Sequence, residues 1–222
     1  MRYLHYKDHA LSRLTRGRDG PEPLESRHVG HSQADKAKSR QRILDAAALQ
    51  LRESGLHGVS IADLMKSAKL THGGFYGHFA SRDELVAEAA DKALHDGEAE
   101  AIRAGCVRGP RTLKSYLNNY LSKTHRDNQR SGCAVAALAG DVARTDSERT
   151  REIMSRHLIK YFEDIEKFSG DGKADGFAIT VMSAVVGAVI LSRVMTDDAV
   201  SDRILSAVRN TLLECADTQQ SA

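Results

Sequence analysis

The stretch Ser60-Ile61-Ala62-Asp63-Leu64-Met65-Lys66-Ser67-Ala68-Lys69-Leu70-Thr71-His72-Gly73-Gly74-Phe75-Tyr76-Gly77-His78-Phe79 decides the fold. Ser60 stands three residues before Asp63, a variant of the capping box that opens a helix of about two turns carrying Ile61, Leu64, Met65 and Ala68. Lys69-Leu70 then turns the chain, and Thr71 stands where its hydroxyl can cap a second stubby helix running through His78. Phe75 and Phe79 are four apart and face inward, whereas His72 and Tyr76, also four apart, share the outward face. A short helix braced by a partner is the geometry that presents side chains to a DNA major groove.

Upstream, Ile43, Leu44, Ala47, Ala48 and Leu51 stack along one face of a helix that starts near Lys38 and closes at Gly55. Downstream, Ser81 and Glu84 form a capping box opening a long helix to about residue 104, with Leu85, Val86, Ala89, Ala90, Ala93 and Leu94 at helical spacing. Further amphipathic helices are expected over 112–126, 133–144, 147–168, 173–195 and 201–216, and nothing alternates with a strand period. The fold class is therefore all-α. Residues 1–36 carry Gly17, Gly20, Pro21, Pro23 and Gly30 and read as a flexible extension with one short helix over 3–14. The chain divides into this extension, a helix-turn-helix domain at 37–84, a larger helical domain at 85–216 and a tail at 217–222.

The run Arg42-Ile43-Leu44-Asp45-Ala46-Ala47, then Gly55 and Val59-Ser60-Ile61, then Leu70 through Leu85, resembles the N-terminal domain of TetR/AcrR-type transcriptional regulators over about 50 residues. The resemblance implies an all-helical dimer with an N-terminal three-helix DNA-binding domain. It further implies a C-terminal ligand-binding and dimerisation domain whose last two helices form a four-helix interface. It also implies repression relieved by a small-molecule inducer. Carried over by position, Ser60 and Thr71 would cap their helices and donate to phosphate. His72, Gly73 and Gly74 would approach base edges, and Tyr76, His78 and Arg82 would hold the DNA backbone.

Two features depart from that pattern. Lys69 occupies a turn position often held by Gly, where a left-handed backbone costs about 1 kcal/mol, and its ammonium is available to a phosphate. Gly73-Gly74 leaves few side chains for bidentate base contacts, so modest direct readout is expected, with specificity resting on His72, Thr71, close backbone approach and operator shape.

Charge supports the same partner. Residues 1–82 hold 14 Lys and Arg against 8 Asp and Glu, the remainder 18 against 22, so a basic front precedes a mildly acidic body. The basic segment Arg27, Lys36, Lys38, Arg40 and Arg42 can act as a minor-groove arm or a solvated tail. The 222 residues are 28% charged, so disorder throughout is excluded, and 5% aromatic without Trp, which favours helices over a β-sandwich. Three Cys suit a reducing compartment, and residues 1–25 lack an uninterrupted apolar block, so a cytoplasmic protein is expected. The uncharged stretch 176–192 is shorter than the roughly 20 residues a membrane span needs and reads as a buried interface helix.

An enzyme would need a constellation that is not visible. His5 and His9 lack further ligands, Gly73-Gly74 follows no strand, and no nucleophile stands beside a base. No cofactor, metal or catalytic residue is expected. Tyr116, Tyr120, His125, His157, Tyr161 and Met182 are candidate walls and anchors of an inducer pocket. Cys133, at the start of a helix, is a candidate thiol sensor. The rival readings are a helical protein-interaction scaffold and a regulator that senses oxidants or electrophiles through cysteine.

Overall fold

The computed structural model describes residues 33–105, 112–170 and 176–218; side chains are described for all of these except 98–105 and 168. Among the described residues the elements are α1 (Gln33–Ser54), α2 (Ile61–Ser67), a 3-10 segment (His72–Gly77), α3 (Arg82–Gly105), α4 (Leu113–Tyr120), α5 (Lys123–Asp127), α6 (Ala134–Val142), α7 (Glu148–Ser169), α8 (Phe177–Val194) and α9 (Asp198–Thr218). No strand occurs among them, and the protein is all-α. The helix expected over 3–14, His5, His9, Arg27, Cys106 and Lys173 lie outside the described residues.

The N-terminal unit forms because α1 buries Ile43, Ala47, Ala48 and Leu51 against α3, whose Leu85, Ala89, Ala93 and Leu94 are also inaccessible to solvent. Alanines on both helices allow close approach of the two backbones. Across their lower ends lie α2 and the 3-10 segment, plugged into this core by Leu64, Met65, Phe75 and Phe79. Each aromatic ring removed from water contributes about 2–3 kcal/mol, which anchors a segment too short to be stable alone.

The turn between α2 and the 3-10 segment keeps the left-handed geometry despite its residue. Lys69 has φ 59°, and Leu70 N–H donates to Met65 O at 2.8 Å while Lys69 N–H donates to Lys66 O at 3.0 Å. These bonds satisfy the end of α2 as a Schellman closure does. Lys69→Gly is therefore expected to raise stability by about 1 kcal/mol. That corresponds to about 2–4 °C in Tm for a chain of this length, measurable by differential scanning calorimetry; an unchanged or lower Tm contradicts the strain.

Several boundaries differ from the sequence expectation. Helix α1 begins at Gln33, so Lys36, Lys38, Arg40 and Arg42 belong to the helix and not to an arm before it. The helix expected over 112–126 is two. Leu121 leaves helical geometry at φ −92° and ψ 41°, and the Ser122 hydroxyl accepts from His125 N–H at 3.1 Å to start α5. The apolar stripe runs through this break and hides it. The element expected at 201–216 begins at Asp198, because the Asp197 carboxylate accepts from Ala199 and Val200 N–H and caps it earlier. The element after Thr71 is a 3-10 turn of six residues, in keeping with three glycines that disfavour an α-helix.

Beyond α3, helices α4 to α9 form a second packed body. α8 buries Val181, Val185 and Val189 completely and lies against α7 and α9. It is the one helix among the described residues long and apolar enough to cross a membrane, with mean hydropathy 2.0, and 44% of it is buried inside the protein.

Candidate nucleic-acid interface and interior polar cluster

The sequence-expected DNA-facing residues fall into two groups. Thr71, His72, Gly73 and Tyr76 are exposed, and Tyr76 keeps 72% of its surface in solvent. Directly beneath, Phe75 is 1% exposed, its ring edge-on to Tyr76 at 5.2 Å and stacked on Phe79 at 5.7 Å. An outward row is thus rigidly backed by an inward one. A Cβ added at Gly73 or Gly77 would meet nothing within 4 Å, and at Gly74 only ordinary contacts, so at these glycines the backbone is open between the side chains of the row. Lys66 and Lys69 are exposed beside it.

The caps differ in detail from expectation. Ser60 Oγ accepts from Asp63 N–H at 3.3 Å as expected. Thr71 stands at the N-cap, but its hydroxyl makes no capping bond; the tighter turn instead brings Gly74 N–H to Thr71 O at 3.0 Å. At α3, Glu84 N–H donates to Ser81 Oγ at 3.1 Å, and the Glu84 carboxylate reaches back to Ala80 N–H, one residue before the cap.

Three residues given DNA-facing roles are engaged within the protein. Arg82, half-buried, donates through Nη2 to Leu56 O at 3.0 Å and more weakly to Val59 O, tying the start of α3 to the α1–α2 loop. Arg40 pairs with Glu88 at 2.6 Å, donates to His78 O at 3.3 Å and lies over the Phe79 ring at 4.5 Å, so it braces the 3-10 segment instead of reaching outward. His78 is half-buried with Nδ1 unpartnered in the interior, and burial, then Lys36 and Arg40, lower its pKa below 6.5. The lowered pKa makes His78 a weaker source of positive charge for a phosphate than a free imidazole. Lys36, Lys38 and Arg42 remain on the exposed side of α1. The engagement of Arg40 and Arg82 depends on partners 48 and 26 residues away, which local pattern cannot reveal.

In the second body, most of the expected pocket residues converge. Tyr116 donates to Met182 Sδ at 3.8 Å and packs against Tyr120 at 5.5 Å, and the Tyr120 ring lies 4.5 Å from His125. The Tyr120 hydroxyl is buried, facing the thiol of half-exposed Cys133, a weak hydrogen-bonding group, and no oxygen or nitrogen partner is in reach. Desolvation foremost, and Cys133 next, push its pKa well above 10. Tyr161 donates to Leu94 O at 2.9 Å on α3. His157 packs its ring beside Tyr161 at 6.3 Å and turns Nε2 to Asp91 on α3 at 2.9 Å. Sequence reasoning missed Arg193, which donates to Arg126 O and His125 O and closes the cluster from α8. A cleft of about 640 Å³ lies elsewhere, between α1, α3 and α7, lined by Gln41, Glu88, Lys92, Arg149 and Arg156 among others. Among the described residues no His, Cys, Asp or Glu group could hold a metal.

His125 fixes its own tautomer. Nδ1–H donates to Tyr120 O at 2.7 Å, and Nε2 accepts from Cys133 N–H at 3.1 Å. Protonation would set two donors face to face. Burial lowers the His125 pKa below 6.5, Arg193 lowers it further, and the bond to Tyr120 O opposes them. The unfolded chain therefore takes the proton first, so this stability is present above about pH 6.5 and is lost as pH falls below it. Tm is expected to drop between pH 7.5 and 5.5, with a smaller drop in His125→Gln; equal drops would exclude His125 as the source.

Comparison with known proteins agrees with this geometry. Residues 43–89 match the model of the bacterial regulatory proteins of the tetR family. An HTH-type transcriptional regulator of Mycobacterium tuberculosis is 30% identical over 187 residues, 78% of this chain and 94% of the relative. Similar solved structures include a TetR transcriptional regulator from Chloroflexus aurantiacus (20% identity, TM-score 0.65, 82% of this chain and 97% of that one). The reduced form of Escherichia coli NemR is similar at 17% identity and TM-score 0.63, covering 78% and 96%. A solvent-facing row backed by a helix-turn-helix on an all-α body thus belongs to a DNA-binding transcriptional regulator. The chain is a member of the TetR family.

Proposed function

We propose that the protein is a ligand-responsive repressor that binds a palindromic operator as a homodimer and is released by a small-molecule inducer. The observation carrying the DNA-facing assignment is the exposed row Thr71, His72, Gly73 and Tyr76 over buried Phe75 and Phe79. In this reading Thr71, His72 and the Gly73-Gly74 backbone meet base edges. Ser60, Lys69, Tyr76 and His78 meet the DNA backbone, and Arg82 serves the site by holding the α1–α2 loop. The reading unit is 37–84 and the effector unit 85–216, with α3 crossing between them.

Dimerisation is supported by the outer face of α8, where Ile179, Ile190, Leu191 and Val194 are exposed and Gly187 is open. A monomer rarely presents such a row to water. The inducer reading is supported by the buried Tyr120 hydroxyl inside the aromatic cluster, a polar atom that faces only a weakly bonding thiol and to which a ligand would offer a stronger partner. A covalent variant of that reading rests on Cys133, whose half-exposed thiol adjoins Tyr120. Alkylation that releases DNA from the wild type and not from Cys133→Ser supports it, and alkylation without release excludes it.

The test is selection of bound duplexes from a random pool, followed by mobility shifts across salt concentration. His72→Ala is expected to alter the selected sequence, whereas Lys69→Ala should weaken all duplexes alike and lower the salt slope by about 1. Absence of a salt-dependent shift with any duplex removes the assignment. Equal loss on operator and random DNA in His72→Ala removes the reading role of that residue.

A further inference from the structure

Helix α6 is fixed at both ends by bonds to different parts of the molecule. At its front, Cys133 N–H is held by His125 Nε2 at 3.1 Å inside the polar cluster, and its flank packs on α8. At its rear, Asp141 Oδ2 accepts from Leu56 N–H at 2.9 Å, a bond spanning 85 positions of sequence. The two attachments lie eight positions apart, about 12 Å along the helix.

The receiving residue is held on both sides. Leu56 is buried; its N–H goes to α6, while its carbonyl takes Arg82 Nη2 at 3.0 Å. Arg82 begins α3 four residues beyond the 3-10 segment and three after the buried ring of Phe79. One residue, through the two peptide groups that flank it, therefore joins the effector body to the segment that follows the exposed row. The preceding residue is shaped for this approach. Gly55 has φ +72°, and a Cβ there would lie 2.3 Å from Asp141 Oδ2, so a side chain would displace the carboxylate. The other carboxylate oxygen, Oδ1, is oriented by Arg144 at 2.9 Å.

We propose that Asp141 is the positioning residue that sets the orientation of the DNA-facing row, acting through the Leu56 amide and Arg82. This rests on the DNA-binding role of the row and adds the residue through which the state of the effector body reaches it. Without the carboxylate the Leu56 N–H is buried with no acceptor, the loop loosens, and the row no longer docks in one pose.

Asp141→Ala and Asp141→Asn separate this from a general loss of stability, because the Asn side-chain oxygen can still accept the Leu56 N–H. Val142→Ala, on the same helix, is the stability control. In the full-length protein, Asp141→Ala is expected to bind the duplex selected by the wild type at least tenfold more weakly, Asp141→Asn within threefold of wild type, and Val142→Ala as wild type. Amide exchange should accelerate over 56–59 and 71–79 in Asp141→Ala only, with 181–194 unchanged. Wild-type affinity in Asp141→Ala overturns the proposal, as do equal losses in the Ala and Asn variants. If the wild-type chain selects no duplex, the DNA reading fails by itself and the exchange measurement decides: no local acceleration in Asp141→Ala overturns the positioning role.

Discussion

Leu191→Asp is expected to convert a dimer into a monomer and weaken operator binding by roughly a hundredfold or more. Leu191 is 55% exposed on a helix whose opposite side, Val181, Val185 and Val189, is completely buried. The substitution therefore leaves the packing of α8 on α7 and α9 intact. One exposed leucine is ordinary, but Ile179, Ile190 and Val194 share its outer surface. A carboxylate buried there with no partner costs several kcal/mol, enough to split an interface of standard size. A monomer then meets each half-site alone and loses the effective concentration that tethering provides. Sedimentation velocity and mobility shifts on one preparation measure both effects. A variant that remains dimeric with full affinity would move the interface off this face.

The second large effect contrasts two neighbours. Phe75→Ala is expected to destabilise the protein by about 3–5 kcal/mol, since the ring is fully enclosed and the 3-10 segment cannot collapse around the void. Tyr76→Ala is expected to change stability by less than about 0.5 kcal/mol, because the side chain stands in solvent, while lowering affinity for DNA. Urea denaturation and DNA titration of both variants read the two quantities. If Tyr76→Ala unfolds the protein or leaves DNA affinity unchanged, the outward row is not the contact surface.

Much of the N-terminal unit was legible because its determinants are local. The Ser60 and Ser81 caps, the inward Phe75 and Phe79 and the outward His72 and Tyr76 all follow from spacings of three and four, while the left-handed Lys69 was suggested by the family resemblance, which places a turn there. Spacing also placed Tyr116, Tyr120, His125, Cys133 and Met182 on helices that converge. What escaped is tertiary. Arg40 and Arg82 read as spare cations because their carboxylate and carbonyl partners come from other helices. His157 lies beside Tyr161 as its helical spacing suggests, but its bond to Asp91 comes from α3 and is not visible locally. Arg193 sits at the charged end of an apolar helix, and nothing local tells that its guanidinium turns back onto α5 carbonyls. The break at Leu121 was signalled only by Ser122, a weak mark inside a strong apolar stripe.

The empty space around Gly73 and Gly77 has an evolutionary consequence. Because a methyl group there displaces no neighbour, Gly→Ala at these two sites carries little steric penalty for folding. A gene duplicate can therefore acquire a new regulon by changing one or two codons while inheriting its scaffold unaltered.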